Sequence, residues 1–168
     1  LTNARVLTPS GLLDHHTVVI VNGIIDRIVP DGEFKVGTEI LFDCQSGTLL
    51  PGFIDVQVNG GGGVLFNDNP SIEGIKTIAS AHRKFGTTGL LPTLISDDLD
   101  VIASALQATD EALQEHVPGL LGLHIEGPYI STERKGTHDS SKFRALDHSD
   151  VALLSGLRHG KTLVTLAP

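Results

Sequence analysis

The sequence predicts an α/β protein in which a small β-rich segment precedes a parallel sheet. Up to about residue 50, short apolar runs are separated by turn signals; beyond it, apolar strand-like runs alternate with segments of helical spacing. Strands that alternate with helices are typical of βα units, whose strands are parallel. A composition of 40% hydrophobic and 19% charged residues also indicates a globular chain.

The first 50 residues contain four predicted strands, at residues 4–7, 17–21, 24–29 and 39–42. Asn22-Gly23 separates the second run from the third, and this dipeptide between apolar runs predicts a tight hairpin with positive φ at both residues. A sheet of this size cannot bury both faces by itself. We therefore expect the rest of the protein to cover one of them.

Beyond residue 50, strands are predicted at residues 53–58, 90–95, 120–125 and 162–166, and helices at residues 72–85, 99–113 and 151–157. Gly86 suits the end of the first helix, and Asp97 or Asp98 is available to cap the second. Four βα units are half of an eight-stranded (β/α)₈ barrel or a complete four-stranded open sheet. The spacing alone leaves both possibilities open.

Charge and composition narrow the class of protein. The net charge of −8 and the absence of a basic stripe argue against nucleic acid or an anionic membrane as partners. A single cysteine, Cys44, cannot form an internal disulfide, and no apolar run approaches 18 residues, so we expect a soluble cytoplasmic protein. Because the chain has no methionine, even at position 1, we expect it to be part of a longer product.

The segment GLHIEGPYI, residues 122–130, holds the main candidate site residue. Glu126 ends an apolar strand and is followed by Gly127-Pro128, and a buried carboxylate is costly unless a cation or hydrogen-bond donors compensate it. A metal ion, capped backbone amides or an arginine partner would each fit. His124 shares the strand face of Glu126, either as a site residue or as a satisfied core histidine.

Other polar residues fall near the expected strand ends. Asp55, Gln57 and Asn59 share one strand face, and the amides suit hydrogen bonding better than metal binding. The glycines at residues 60–63 lack a P-loop pattern, which favours a tight loop over a phosphate cradle. The polar loop at residues 131–148 follows Glu126 directly and is either functional or a solvated connection.

Five segments together resemble the N-acetylglucosamine-6-phosphate deacetylase family of the amidohydrolase superfamily: PGFIDVQVNG, LPTLIS, GLHIEGPYI, KGTH and VTLAP. PGFID alone indicates only an amidohydrolase, whereas the combination is specific and extends over essentially the whole chain. Members of the family are about twice as long as this chain. The resemblance therefore implies that the chain corresponds to their N-terminal half.

The resemblance implies a fold and a set of site residues. Residues 1–50 would be the β-rich part of a small β-sandwich, and residues 51–168 the first four βα units of a metal-dependent TIM-like barrel. Glu126 would bind one divalent ion, implied to be Zn²⁺, with two histidines from later strands. The family's substrate contact matches His138, with Thr137 beside it. Gln57 and Asn59 stand where many amidohydrolases have His-x-His, which resembles the single-metal members.

The implied reaction is hydrolysis of N-acetylglucosamine 6-phosphate to glucosamine 6-phosphate and acetate by a homodimer. The family's catalytic aspartate would lie beyond Pro168, as would its phosphate-binding arginine, so we expect residues 1–168 alone to be inactive. Gln57, Asn59 and His124 would shape the site. Two alternatives stay open: another amidohydrolase acting on a cyclic amide, and a non-catalytic half-barrel.

Overall fold

A computed structural model describes residues 1–38 and 40–167 of the chain. It divides into two compact units, Leu1–Pro51 and Gly52–Pro168. The boundary coincides with the change in sequence pattern near residue 50. Each unit has its own sheet and its own hydrophobic core.

The first unit is a four-stranded sheet with the order β3-β2-β1-β4. Its strands are β1 (Ala4–Thr8), β2 (Gly11–Val21), β3 (Ile24–Pro30) and β4 (Thr48–Leu49). Strand β2 pairs antiparallel with both β1 and β3, and β4 pairs parallel with β1. Asn22 and Gly23 have φ values of 51° and 78°, so the predicted hairpin turn is present.

Two strand predictions in this unit need correction. Strand β2 begins at Gly11 rather than at residue 17, because backbone pairing with β1 extends over residues 11–16, where apolar and polar residues do not alternate. The predicted strand at residues 39–42 is wrong for residues 40–42, and Glu39 lies outside the described residues. A backbone hydrogen bond, from Thr2 N to Phe42 O at 2.8 Å, joins this stretch to the residues just before β1.

The second unit contains a parallel four-stranded sheet with the order β10-β9-β8-β5. These strands are β5 (Phe53–Val58), β8 (Thr87–Ile95), β9 (Gly122–Glu126) and β10 (Lys161–Thr165). A small hairpin of β6 (Gly60–Gly61) and β7 (Val64–Leu65) follows β5. Each strand lies beside its predecessor in chain order, as expected for successive βα units.

Three helices connect the parallel strands: α1 (Ile72–Arg83), α2 (Leu99–Gln114) and α3 (His148–Leu154). Their apolar faces join the strands in one core, whose most deeply buried members include Ile75, Ile78, Ile102, Leu123 and Ile125. No helix among the described residues is long and apolar enough to cross a membrane.

The helix starts follow local capping chemistry. The Ser71 side chain accepts the N–H of Gly74 at the start of α1. Asp98 occupies the N-cap position of α2, but its carboxylate pairs with Lys142 and makes no capping hydrogen bond. Helix α3 begins earlier than predicted because Asp147 and Asp150 form a reciprocal capping box.

Candidate active site

Polar side chains collect at the carboxyl ends of the parallel strands. Ile95, Glu126 and Thr165 are partners in register across β8, β9 and β10, and Glu126 is the last residue of its strand. Parallel α/β proteins place their functional groups at this edge, because loops from several strands converge there. The edge therefore holds the candidate site predicted from the sequence.

Glu126 is half-buried, with 22% of its side chain exposed. Its Oε2 accepts a hydrogen bond from Gln57 Nε2 at 3.2 Å, and its Oε1 lies 3.8 Å from His138 Nε2. Within residues 1–38 and 40–167, no arginine pairs with Glu126 and no backbone amide is capped by it. A carboxylate has about four acceptor positions, so this one keeps capacity for a further ligand.

The loop after β9 brings His138 back to the strand ends. Its ring is buried, and Nδ1 is contacted by Ser96 through the backbone N at 3.3 Å and through Oγ at 2.8 Å. The Lys135 ammonium donates to the His138 carbonyl at 3.0 Å, which closes the KGTH turn. Thr137 lies beside His138 in the same loop with an exposed side chain.

Ser96 is a site residue that the sequence analysis missed. It is buried and follows directly after β8, at the strand edge where Glu126 also lies. A Cβ added to Gly127 would stand 2.2 Å from Ser96 Oγ, so this contact requires glycine at position 127. A hydroxyl residue directly after a buried strand was the available signal, but nothing in the sequence pointed to its partner.

Of the two amide residues predicted near the site, only Gln57 has a hydrogen bond to Glu126 among the described residues. Gln57 lies next to the carboxylate, and its own backbone N donates to Asp55 Oδ1 at 3.1 Å. Asn59 is half-buried at the entrance to the glycine hairpin, where its carbonyl accepts the Phe66 N–H at 2.8 Å. The glycine run thus forms a tight hairpin directly after the strand that carries Gln57.

His124 lies two residues before Glu126 with both ring nitrogens engaged. Nδ1 is 3.1 Å from Thr93 Oγ1, and Nε2 is 2.9 Å from Thr165 Oγ1. Burial lowers the pKa of His124, and the opposing effect of the Glu126 charge is smaller. With both nitrogens occupied, the ring holds three neighbouring strands in register and leaves no lone pair for a metal ion.

The part of the chain that the structure describes holds no group of three His, Cys, Asp or Glu side chains placed to bind a metal ion. Glu126 is therefore at most one ligand of such a centre. Structural and catalytic zinc sites take three or four protein ligands. By themselves, the described residues therefore do not form a complete zinc site of either kind.

Proteins named as deacetylases of N-acetylhexosamine 6-phosphates are similar to this chain in sequence. The family described as the NagA composite domain matches residues 1–39. An N-acetylgalactosamine-6-phosphate deacetylase of Shewanella sp. (strain ANA-3) is 39% identical over 98% of this chain and 42% of its own length. The N-acetylglucosamine-6-phosphate deacetylase of Haemophilus influenzae is 39% identical over 87% of this chain and 38% of its own length.

Solved structures give the same result. The N-acetylglucosamine-6-phosphate deacetylase of Pasteurella multocida superposes with a TM-score of 0.89 at 33% identity, covering 98% of this chain and 43% of its own. The enzyme of the same name from Thermotoga maritima supports the fold alone, because it is only 24% identical. Its TM-score is 0.76, covering 93% of this chain and 39% of its own. The predicted resemblance to the N-terminal part of N-acetylglucosamine-6-phosphate deacetylases is confirmed. The chain spans about two-fifths of the length of these relatives.

Proposed function

We propose that the full-length protein carrying this chain hydrolyses the acetamide of N-acetylglucosamine 6-phosphate, giving glucosamine 6-phosphate and acetate. The observation that carries the proposal is the Glu126 carboxylate, which stands at the strand edge with spare acceptor capacity and with His138 beside it. The relatives in sequence and structure bear the names of deacetylases of this substrate or of its galactosamine counterpart.

The architecture we propose has two parts. Residues 51–168 form the first four βα units of a (β/α)₈ barrel, and residues 1–50 form the β-rich part of a small β-sandwich. Support comes from the parallel strands added in chain order and from the small core of the first unit, Ala4, Val6 and Val18. Barrel closure would cover the apolar side chains of β5 that are exposed here, such as Phe53 and Ile54.

We further propose that Glu126 is one protein ligand of a single divalent ion, Zn²⁺, and that two histidines outside this chain complete the set. The donor chemistry fits, because a carboxylate with free lone pairs is an accepted zinc ligand, and Gln57 and Asn59 offer no imidazole for a second ion. When bound, the ion acts as a Lewis acid on the carbonyl and lowers the pKa of a coordinated water.

The residues of this chain have separate tasks in the proposed reaction. Gln57 holds Glu126 through its Oε2, which orients the other carboxylate oxygen. His138 and Thr137 contact the substrate from the loop after β9. His124 keeps β8, β9 and β10 in register below the site. Proton transfer to the leaving amine is assigned to an aspartate outside this chain.

The substrate class in this proposal is a phosphorylated amino sugar, and the protein is a cytoplasmic homodimer. N-acetylgalactosamine 6-phosphate is a second candidate substrate, because the relative from Shewanella is named for it and matches 98% of the chain. The two sugars differ only in the configuration at C4. Discrimination between them therefore depends on contacts to one hydroxyl group.

The test is acetate release by the purified full-length protein from both N-acetylhexosamine 6-phosphates, before and after removal of metal with a chelator. We expect turnover of at least one sugar phosphate, loss with chelator and recovery with Zn²⁺. A cyclic amide such as dihydrouracil serves as a control substrate and should not react. Turnover of the cyclic amide alone would indicate a different amidohydrolase, and no turnover of any substrate by metal-loaded protein would indicate a non-catalytic barrel.

A further inference from the structure

We propose that Ser96 is a positioning residue that fixes which nitrogen of His138 carries the proton. The backbone N–H of Ser96 points at His138 Nδ1 from 3.3 Å, and a backbone N–H is able only to donate. Nδ1 must therefore be an acceptor. The Ser96 hydroxyl, 2.8 Å away, then donates to the same nitrogen, and the ring proton resides on Nε2.

The protonated nitrogen is the one that faces the site. His138 Nε2 lies 3.8 Å from Glu126 Oε1, whereas Nδ1 is turned towards Ser96 in the buried interior. In this tautomer His138 presents a hydrogen-bond donor at the strand edge. It is suited to hold a carbonyl or hydroxyl oxygen of a substrate, and it has no free lone pair there with which to accept a proton.

Ser96 is itself held from both sides. Asn67 pairs with both backbone groups of Ile95: its Oδ1 accepts the Ile95 N–H at 3.0 Å and its Nδ2 donates to the Ile95 carbonyl at 3.1 Å. Nδ2 also donates to Asp97 Oδ2 at 3.0 Å. Residues on either side of Ser96 are thus anchored, and the missing Cβ of Gly127 makes room for the hydroxyl.

The tautomer is tested directly by ¹⁵N NMR of the histidine side chains in the full-length protein, with His138→Gln used to assign the signals. We expect His138 to show a non-protonated Nδ1 and a protonated Nε2 at neutral pH. A protonated Nδ1 would overturn the proposal. This measurement does not require activity, so it is independent of the proposed deacetylase function.

The kinetic consequence rests on the proposed function. Ser96→Ala removes one of the two donors to Nδ1 and should lower kcat about tenfold with KM little changed, the size typical of residues that orient a site group. Ser96→Thr keeps a hydroxyl and should retain most of kcat. Ser104→Ala, an exposed serine of α2, is the matched control. Unchanged kcat in Ser96→Ala, or equal losses in the alanine and threonine variants, would refute the positioning role.

Discussion

Two carboxylates of the second unit, Asp110 and Glu126, differ in how fully they are satisfied. Asp110 lies in α2, and its Oδ1 accepts the backbone N–H groups of Arg158 and His159 at 2.9 and 3.0 Å as well as a contact of 2.9 Å from His159 Nδ1. Its Oδ2 accepts two bonds from the Arg158 guanidinium. Among residues 1–38 and 40–167, the Glu126 carboxylate has one hydrogen bond, from Gln57, and one longer contact, with His138.

The difference distinguishes a carboxylate whose acceptor positions are taken up by the fold from one that still has acceptor positions available. Asp110 has little acceptor capacity left. Its hydrogen bonds hold α2 against the segment before β10. Burial alone would raise the pKa of Asp110, but the hydrogen bonds from Arg158 and His159 outweigh it and hold that pKa well below its ordinary value. Glu126 leaves lone pairs unused at a strand edge, which is the condition for binding a cation.

The largest expected effect is that of Glu126→Gln. The amide keeps the shape of the side chain but removes the negative charge, so we expect metal content to fall and acetate release to drop by roughly 100-fold or more. Glu111→Gln, an exposed glutamate of α2, should change neither. Metal analysis and an acetate assay of both variants make the measurement, and full metal content in Glu126→Gln would remove Glu126 from the ligand set.

Gln57→Ala should have the next largest effect. It deletes the donor that holds Glu126 Oε2, and loss of such an orienting contact typically costs about tenfold or more in activity or metal affinity. Gln107→Ala is the control, because Gln107 makes a comparable bond of 2.9 Å to Glu111 on an exposed helix face. Equal kinetics in the two variants would show that Glu126 does not depend on this hydrogen bond.

The sequence indicates where the two carboxylates lie, but it does not indicate the partners of Asp110. The position of Glu126 was predicted because a charged residue ended an apolar strand before Gly-Pro. Asp110 also carried a signal: it follows Leu106 by four residues and so falls on the apolar face of a predicted helix. Its partners, Arg158 and His159, bear no periodic relation to it, and only the packing of α2 against the chain before β10 brings them together.

The same limit explains Ser96 and the shifted boundaries. Strands and helices follow from local patterns of apolar residues, which is why the parallel strands were placed within a few residues. The contact of Ser96 with His138 joins positions 42 residues apart and depends on the path of a polar loop. Likewise, α3 was placed three residues late because its start is decided by the Asp147 capping box rather than by apolar spacing.

A smaller effect is expected at the structural carboxylate. Asp110→Asn replaces one carboxylate oxygen, which accepts hydrogen bonds, with an NH₂ group that faces the same donors. We expect the free energy of unfolding to fall by about 1–3 kcal/mol while kcat stays unchanged. Asp100→Asn, exposed in the first turn of the same helix, is the control. Urea unfolding of the full-length protein measures the difference. A loss of activity without a loss of stability in Asp110→Asn would reverse the roles assigned to the two carboxylates.

The last prediction concerns pH. Because the folded-state pKa of Asp110 lies below the ordinary value of 3.8, the unfolded chain takes up this proton first as the pH falls. The contribution of Asp110 is therefore complete above that value and is lost as the pH falls below it towards the folded-state pKa. Comparison of the wild-type protein with Asp110→Asn cancels the titration of other groups, so the gap between their unfolding free energies should narrow from pH 6 to pH 2. The side chain of Arg158 is 76% exposed and screened by solvent, so the backbone N–H groups of Arg158 and His159 should account for most of the gap. A gap that stays constant over this range would mean that Asp110 acts through packing rather than through its charge.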